Sequence, residues 1–137
     1  YYVLEHLRDP VGYLSQLQAR LRKGGRILIE VPNADDVLLS RYDIPNFGPF
    51  YWQKVHYHVF SRRTLTDVIV RSGLEVDVFP AQRYDLSNHM VWMMEGRPGG
   101  MGRYTDFFSS ELESSYSAAL NRHWLCDTLF AVATDID

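Results

Sequence analysis

Residues 26–33, Arg26-Ile27-Leu28-Ile29-Glu30-Val31-Pro32-Asn33, carry an almost unbroken aliphatic run. A run without polar alternation reads as a strand covered on both faces, the pattern of a parallel sheet. A parallel strand needs a crossover, and the preceding residues provide one. Asp9 is placed to cap a helix whose first position is Pro10, where a missing N–H does no harm. Val11, Leu14, Leu17 and Leu21 recur at helical spacing, and Gly24 after Lys23 is read as the stop. A short apolar segment before Asp9 ends in Glu5-His6. Strand end, helix and buried strand make a βαβ unit with a right-handed crossover, which sets the fold class as α/β.

The segment from Asn33 to Phe60 is long for a connection and holds Tyr42, Phe47, Phe50, Tyr51, Trp52 and Tyr57. It is too apolar for a disordered linker, so residues 33–60 read as an aromatic lid or substrate loop. Ser61 caps the next helix, Leu65, Val68 and Ile69 give it a buried stripe, and Gly73 ends it. Leu74, Val76 and Val78 then alternate with Glu75 and Asp77 as a half-buried strand. Ser87 or Asn88 is expected to cap a short helix through Met94; a strand over Met90–Met94 is the competing reading. Residues 96–109 read as a loop. Ser110 to Glu113 has capping-box spacing for a helix to about Arg122, and a strand over Leu125–Thr134 closes the chain.

The 137 residues suit one domain with a real core, and 46% are hydrophobic. A formal charge of -3 with no basic stripe argues against nucleic acid as a partner. The single Cys126 excludes an internal disulfide framework and fits a reducing, cytoplasmic setting. No stretch is long and apolar enough to span a bilayer.

Several pieces in order resemble the class I S-adenosylmethionine-dependent methyltransferases. Val3-Leu4-Glu5-His6-Leu7-Arg8-Asp9-Pro10 is similar to the segment at the end of that family's fourth strand. Residues 21–33 resemble its turn and fifth strand. His56-Tyr57-His58-Val59-Phe60-Ser61 with Arg71-Ser72-Gly73-Leu74 resembles the last crossover helix and sixth strand. Cys126–Ala133 resembles the seventh strand. The resemblance implies the C-terminal part of a Rossmann-like sheet in the order 5, 7, 6, with strand 7 antiparallel and helices flanking it. It implies that residues 1–137 are a partial methyltransferase domain. The family's glycine-rich cofactor loop and the acid ending its second strand have no counterpart here. The glycines between Gly96 and Gly102 follow no strand and so cannot cradle a phosphate.

The implied reaction is methyl transfer from S-adenosylmethionine to an O, N or C nucleophile of a small molecule. This chain would supply the substrate side and would be inactive alone. The alternative is a non-catalytic binding or dimerisation module of the same descent. An incomplete sheet edge would then pair with a second copy.

Open α/β sheets bind ligands at the carboxyl ends of their strands, where Glu5-His6 and Asn33 lie. His6 can serve as a general base, with Glu5 orienting it or contacting substrate, and Glu5 and His6 are together the candidate cofactor contacts; the competing reading is that the pair only satisfies the helix start. His56 and His58, two apart, face one side of an extended segment and are further candidates for the base. No metal is expected, since these two offer no third ligand at a convincing spacing. Asn33, Tyr42, Tyr51, Trp52 and Arg62 are the candidate substrate contacts, against simple packing for the aromatics and a solvated face for Arg62. Asp35-Asp36 reads as solvated loop, and Met90–Met94 as core.

Overall fold

A computed structural model describes residues 1–136. The chain divides into two compact units. The first consists of Tyr1–Ala34, Lys54–Phe79 and the chain from Leu129 on; the second consists of Asp35–Gln53 and Pro80–Thr128.

The first unit is built on a three-stranded antiparallel sheet in the order β1-β3-β2, with β1 Arg26–Pro32, β2 Leu74–Ala81 and β3 Thr128–Asp135. The last strand inserts between the other two, and its Leu129, Ala131 and Ala133 are fully buried. Two helices belong to this unit, α1 Pro10–Gln18 and α4 Arg62–Arg71, and they pack on each other. Both start as their sequences dictate. Asp9 accepts the Gly12 N–H at 2.9 Å. Ser61 and Thr64 form a reciprocal capping box, side chain to backbone in both directions. Gly73 ends α4 with φ +87°, a conformation that costs glycine little.

Three expectations need correction here. The residues before Glu5 form no strand. Leu4–His6 is a 3₁₀ turn, and Tyr2 has φ +51°, outside the β region, although its N–H still reaches Glu30 O at 2.7 Å. The first helix stops at Gln18, not at Lys23, and Gly24 instead supplies the positive φ of the turn into β1. Within β1, Ile29 and Val31 are buried but Leu28 is 48% exposed, so the strand is not covered on both faces among the described residues.

The second unit holds four helices: α2 Val37–Ser40, α3 Phe47–Tyr51, α5 Leu86–Glu95 and α6 Ser110–Arg122. The 33–60 segment is therefore not wholly irregular: it holds the short helices α2 and α3, and of its aromatics Phe47, Phe50 and Tyr51 lie in α3. Phe47 and Tyr51 are buried, and the Trp92 ring meets Phe47 edge-on at 4.9 Å and Phe50 at 5.0 Å. Residues 86–95 are helical as expected, but the cap is Asp85, which accepts the Asn88 N–H at 2.7 Å. Ser109 rather than Ser110 caps α6. Residues 96–109 form turns that pack closely on α5. A Cβ on Gly100 would lie 2.6 Å from Val91 Cβ, so only glycine fits there. Met93 and Met94 are exposed; of that stretch only Val91 and Trp92 are buried. The closing strand begins at Thr128 rather than Leu125; Trp124 takes φ +59° and Cys126-Asp127 bend ahead of it. No described helix is long and apolar enough to cross a membrane.

Candidate functional site

The 33–60 excursion closes at its own base. Asn33 and Phe60 form an isolated parallel bridge, and Ala34 N–H reaches Phe60 O at 2.9 Å. The returning leg, residues 54–60, belongs to the first unit and runs against the acid–His turn. His58 N–H donates to Glu5 O at 3.2 Å. His6 Nδ1–H donates to Val55 O at 2.9 Å. Arg8 Nε–H donates to the Tyr57 hydroxyl at 3.1 Å, with its guanidinium 5.3 Å from the ring centre. Three hydrogen bonds from residues 5–8 thus fix a segment about 50 positions away in sequence.

The consequence is a cluster of Glu5, His6 and His56, whose potential ligand atoms all lie within 4.8 Å of one another. The His6 and His56 rings are 4.9 Å apart at 52°, too tilted to be stacked. Because Nδ1 of His6 donates to a carbonyl, Nε2 carries the lone pair in the neutral ring. That atom is 3.8 Å from Glu5 Oε1. The Glu5 side chain is 2% exposed and that of His6 40%, so the carboxylate is an anchor and the imidazole faces solvent. Glu5 Oε2 is buried with no hydrogen-bond partner, an arrangement that is costly to maintain.

The other predicted residues are distributed unevenly. His58 lies outside the cluster; its ring is 5.7 Å from that of Phe60 and its Nε2 is buried without a hydrogen bond. Asn33 is 1% exposed and sits at the bridge to Phe60. Arg62 is exposed on the first turn of α4. Tyr42, Tyr51 and Trp52 belong to the second unit. There the Tyr42 hydroxyl is 3.1 Å from that of Tyr116, Tyr51 is buried, and Trp52 is 57% exposed, edge-on to Tyr51.

The second unit also holds a half-buried polar chain that the sequence did not reveal. Asp127 N–H donates to Gln82 Oε1 at 3.1 Å, and the Gln82 amide donates to His89 Nε2 at 3.2 Å. His89 Nδ1–H then donates to Tyr116 Oη at 2.7 Å. Burial lowers the pKa of His89 to about 4, keeping it neutral. Burial, with the Tyr42 hydroxyl and the Asp36 charge adding to it, raises that of Tyr116. Asp36, read from sequence as solvated loop, is 2% exposed and caps α2 by accepting the Leu38 N–H at 2.7 Å. Burial, reinforced by the charge of Asp127, pushes its pKa up to about 7. Asp127 is raised too, by burial, although backbone N–H groups of Arg83 and Tyr84 hold its oxygens.

The family described as "Methyltransferase domain" matches residues 1–77, more than half of the 137. The chain belongs to that methyltransferase family. The match spans the acid–His turn, β1, the 33–60 excursion and α4, which bears out the resemblance read from those segments. The crystal structure of a SAM dependent methyltransferase from Archaeoglobus fulgidus is similar over 97% of this chain, at 15% identity and a TM-score of 0.49. The chain spans 56% of that structure's length. No curated protein matches the sequence.

Proposed function

We propose that this methyltransferase domain takes part in methyl transfer from S-adenosylmethionine to an O, N or C nucleophile of a small molecule. In this reading the chain supplies the substrate side of the intact protein, its strands β1, β3 and β2 standing as the fifth, seventh and sixth of the family's sheet. The observation that carries it is the gathering of His6 and His56 over Glu5. The cofactor supplies the electrophilic methyl; the protein positions the acceptor and removes its proton. His6 suits that task, because its Nδ1–H is committed to Val55 O, which leaves the lone pair on Nε2, and its side chain is 40% exposed. Glu5 stabilises the imidazolium that forms. Asn33 and the exposed Arg62 are the substrate contacts in the same unit.

The test is calorimetric titration of the full-length protein with S-adenosylhomocysteine, followed by transfer of labelled methyl to panels of phenols, amines and phosphorylated sugars. Binding and acceptor-dependent transfer are expected, with kcat lowered about 10²-fold or more in His6→Gln. Absence of cofactor binding overturns the methyl-transfer reading. Unchanged kcat in His6→Gln overturns the role of the imidazole.

A further inference from the structure

We infer that the Tyr42 hydroxyl is a ligand-binding donor of the second unit. It takes an uncharged carbonyl or hydroxyl oxygen, and the chain through Tyr116, His89 and Gln82 fixes it in that role.

The direction of the chain is set by backbone partners at its far end. The Asp127 N–H can only donate, so the Gln82 atom that it meets at 3.1 Å is the amide oxygen. The Tyr84 carbonyl can only accept, so the Gln82 atom 2.7 Å from it is the amide nitrogen. The amide is thus oriented without reference to His89, whose Nε2 receives its other N–H at 3.2 Å. A donor aimed at Nε2 requires a lone pair there, so the neutral imidazole carries its proton on Nδ1. His89 is 1% exposed, and burial lowers its pKa to about 4, which keeps a second proton off. Nδ1–H donates to Tyr116 Oη at 2.7 Å. Burial raises the Tyr116 pKa, with the Tyr42 hydroxyl and the charges of Asp36 and Glu113 adding to it, so the phenol stays protonated. Its proton goes to Tyr42 Oη at 3.1 Å.

Every donor inside the chain then has an acceptor, and one proton is left over. It sits on Tyr42, which is 38% exposed and has no acceptor for it among the described residues. A plain tie between the hydroxyls of Tyr42 and Tyr116 would hold in either direction; this chain allows one, and it ends in an outward O–H. Successive bonds polarise one another, so that O–H donates more strongly than an isolated phenol.

The same direction excludes a base. A proton taken up at Tyr42 would have to end on His89 Nε2, where the Gln82 N–H already stands. Charge narrows the ligand further. The carboxylates of Asp36 and Glu113 make the surroundings of the Tyr116–Tyr42 pair negative, which disfavours an anion. Arg41 and Asp43, on either side of Tyr42 in sequence, offset each other. An uncharged oxygen that displaces water from the hydroxyl is the acceptor that fits. Only the identification of this ligand with the methyl acceptor rests on the methyl-transfer reading; the donor rests on the chain.

The experiment is NMR of the protein labelled at tyrosine Cζ and at the histidine ring nitrogens, without cofactor. The signal lost in Tyr42→Phe is that of Tyr42, and the imidazole in contact with Tyr116 is that of His89. An Nδ1–H tautomer is expected for His89; Nε2–H overturns the direction of the chain. The probes are glucose and N-acetylglucosamine as uncharged oxygen acceptors and acetate as the anion. At least one sugar should shift the Tyr42 signal saturably, and acetate should not. Tyr116→Phe should raise the Kd of that sugar about threefold or more. Circular dichroism checks each variant's fold; if Tyr116→Phe does not fold, the same loss of sugar affinity in Tyr42→Phe, read by calorimetry, decides. No saturable shift with either sugar, an equal response to acetate, or unchanged affinity in the variant overturns the site. With no cofactor present, this donor and methyl transfer succeed or fail separately.

Discussion

Asp36 and His89 make opposite demands on pH, and replacing one should expose the other. In the folded chain Asp36 titrates near 7 instead of 3.8. Between those values the folded chain keeps a proton that the unfolded chain has released, so stability falls as pH rises. His89 titrates near 4 instead of 6.5. Between those values the unfolded chain binds a proton that the folded chain refuses, so stability rises with pH. Each slope is about 1.4 kcal/mol per pH unit, and in the shared window from about pH 4 to 6.5 the two nearly cancel. Asp127, also raised by burial, adds to the falling side. The perturbation is Asp36→Asn, which keeps an equally good helix cap but no charge. Its stability should climb by up to about 3 kcal/mol between pH 4 and 6.5, where the wild type is flat or falling. By pH 8 the ionised Asp36 costs the wild type at most about 4 kcal/mol, which the variant escapes. A constant offset from the amide's own bonding would leave these slopes intact. Urea unfolding followed by tryptophan fluorescence, repeated from pH 4 to 8, reads both curves. Parallel curves, or a variant whose stability falls with pH, would refute the reasoning.

Other perturbations follow from single contacts. Ser61→Ala removes the hydroxyl that accepts the Thr64 N–H at 3.3 Å and should cost about 1 kcal/mol by urea midpoint. Gly100→Ala forces a methyl to within 2.8 Å of Ser87 O and should cost about 1–3 kcal/mol, measured the same way. Trp92→Ala removes the ring on which Phe47 and Phe50 pack; a loss of about 3–5 kcal/mol is expected in thermal unfolding, with Trp92→Phe milder. Tyr116→Phe deprives His89 Nδ1–H of its acceptor and should cost about 1–3 kcal/mol. Imidazole NMR of that variant would check whether the ring loses its single orientation.

What could be read from the sequence was local chemistry. Asp9-Pro10, the Ser61 cap and Gly73 announce helix ends through short-range chemistry, and each forms as announced. The alternation from Leu74 to Val78 likewise needs only its own strand. The errors fall where a residue's environment is set from far away. Asp36 looked solvated because an Asp-Asp pair in a loop usually is; it is buried because Val37 N–H bonds Leu125 O at 3.0 Å, drawing α2 onto residues nearly 90 positions on. Gln82, His89, Tyr116 and Asp127 share no spacing that would betray their hydrogen-bonded chain. The acid–His turn shows both halves of the lesson. Its position at a strand-end-like turn marked Glu5 and His6 as candidates, but nothing short-range says that His56 joins them while His58, two residues on, turns to Phe60. That choice is made by the return of the excursion. Once Ala34 is bonded to Phe60 and His58 to the backbone of Glu5, the intervening leg has one register. In that register Val55 O meets the His6 ring and the next side chain along, His56, is delivered to Glu5. A single-residue slip of this leg would replace His56 in the cluster with Val55 or Tyr57, neither of which brings an imidazole, so the two backbone bonds at Ala34 and His58 set the chemistry as much as the side chains do.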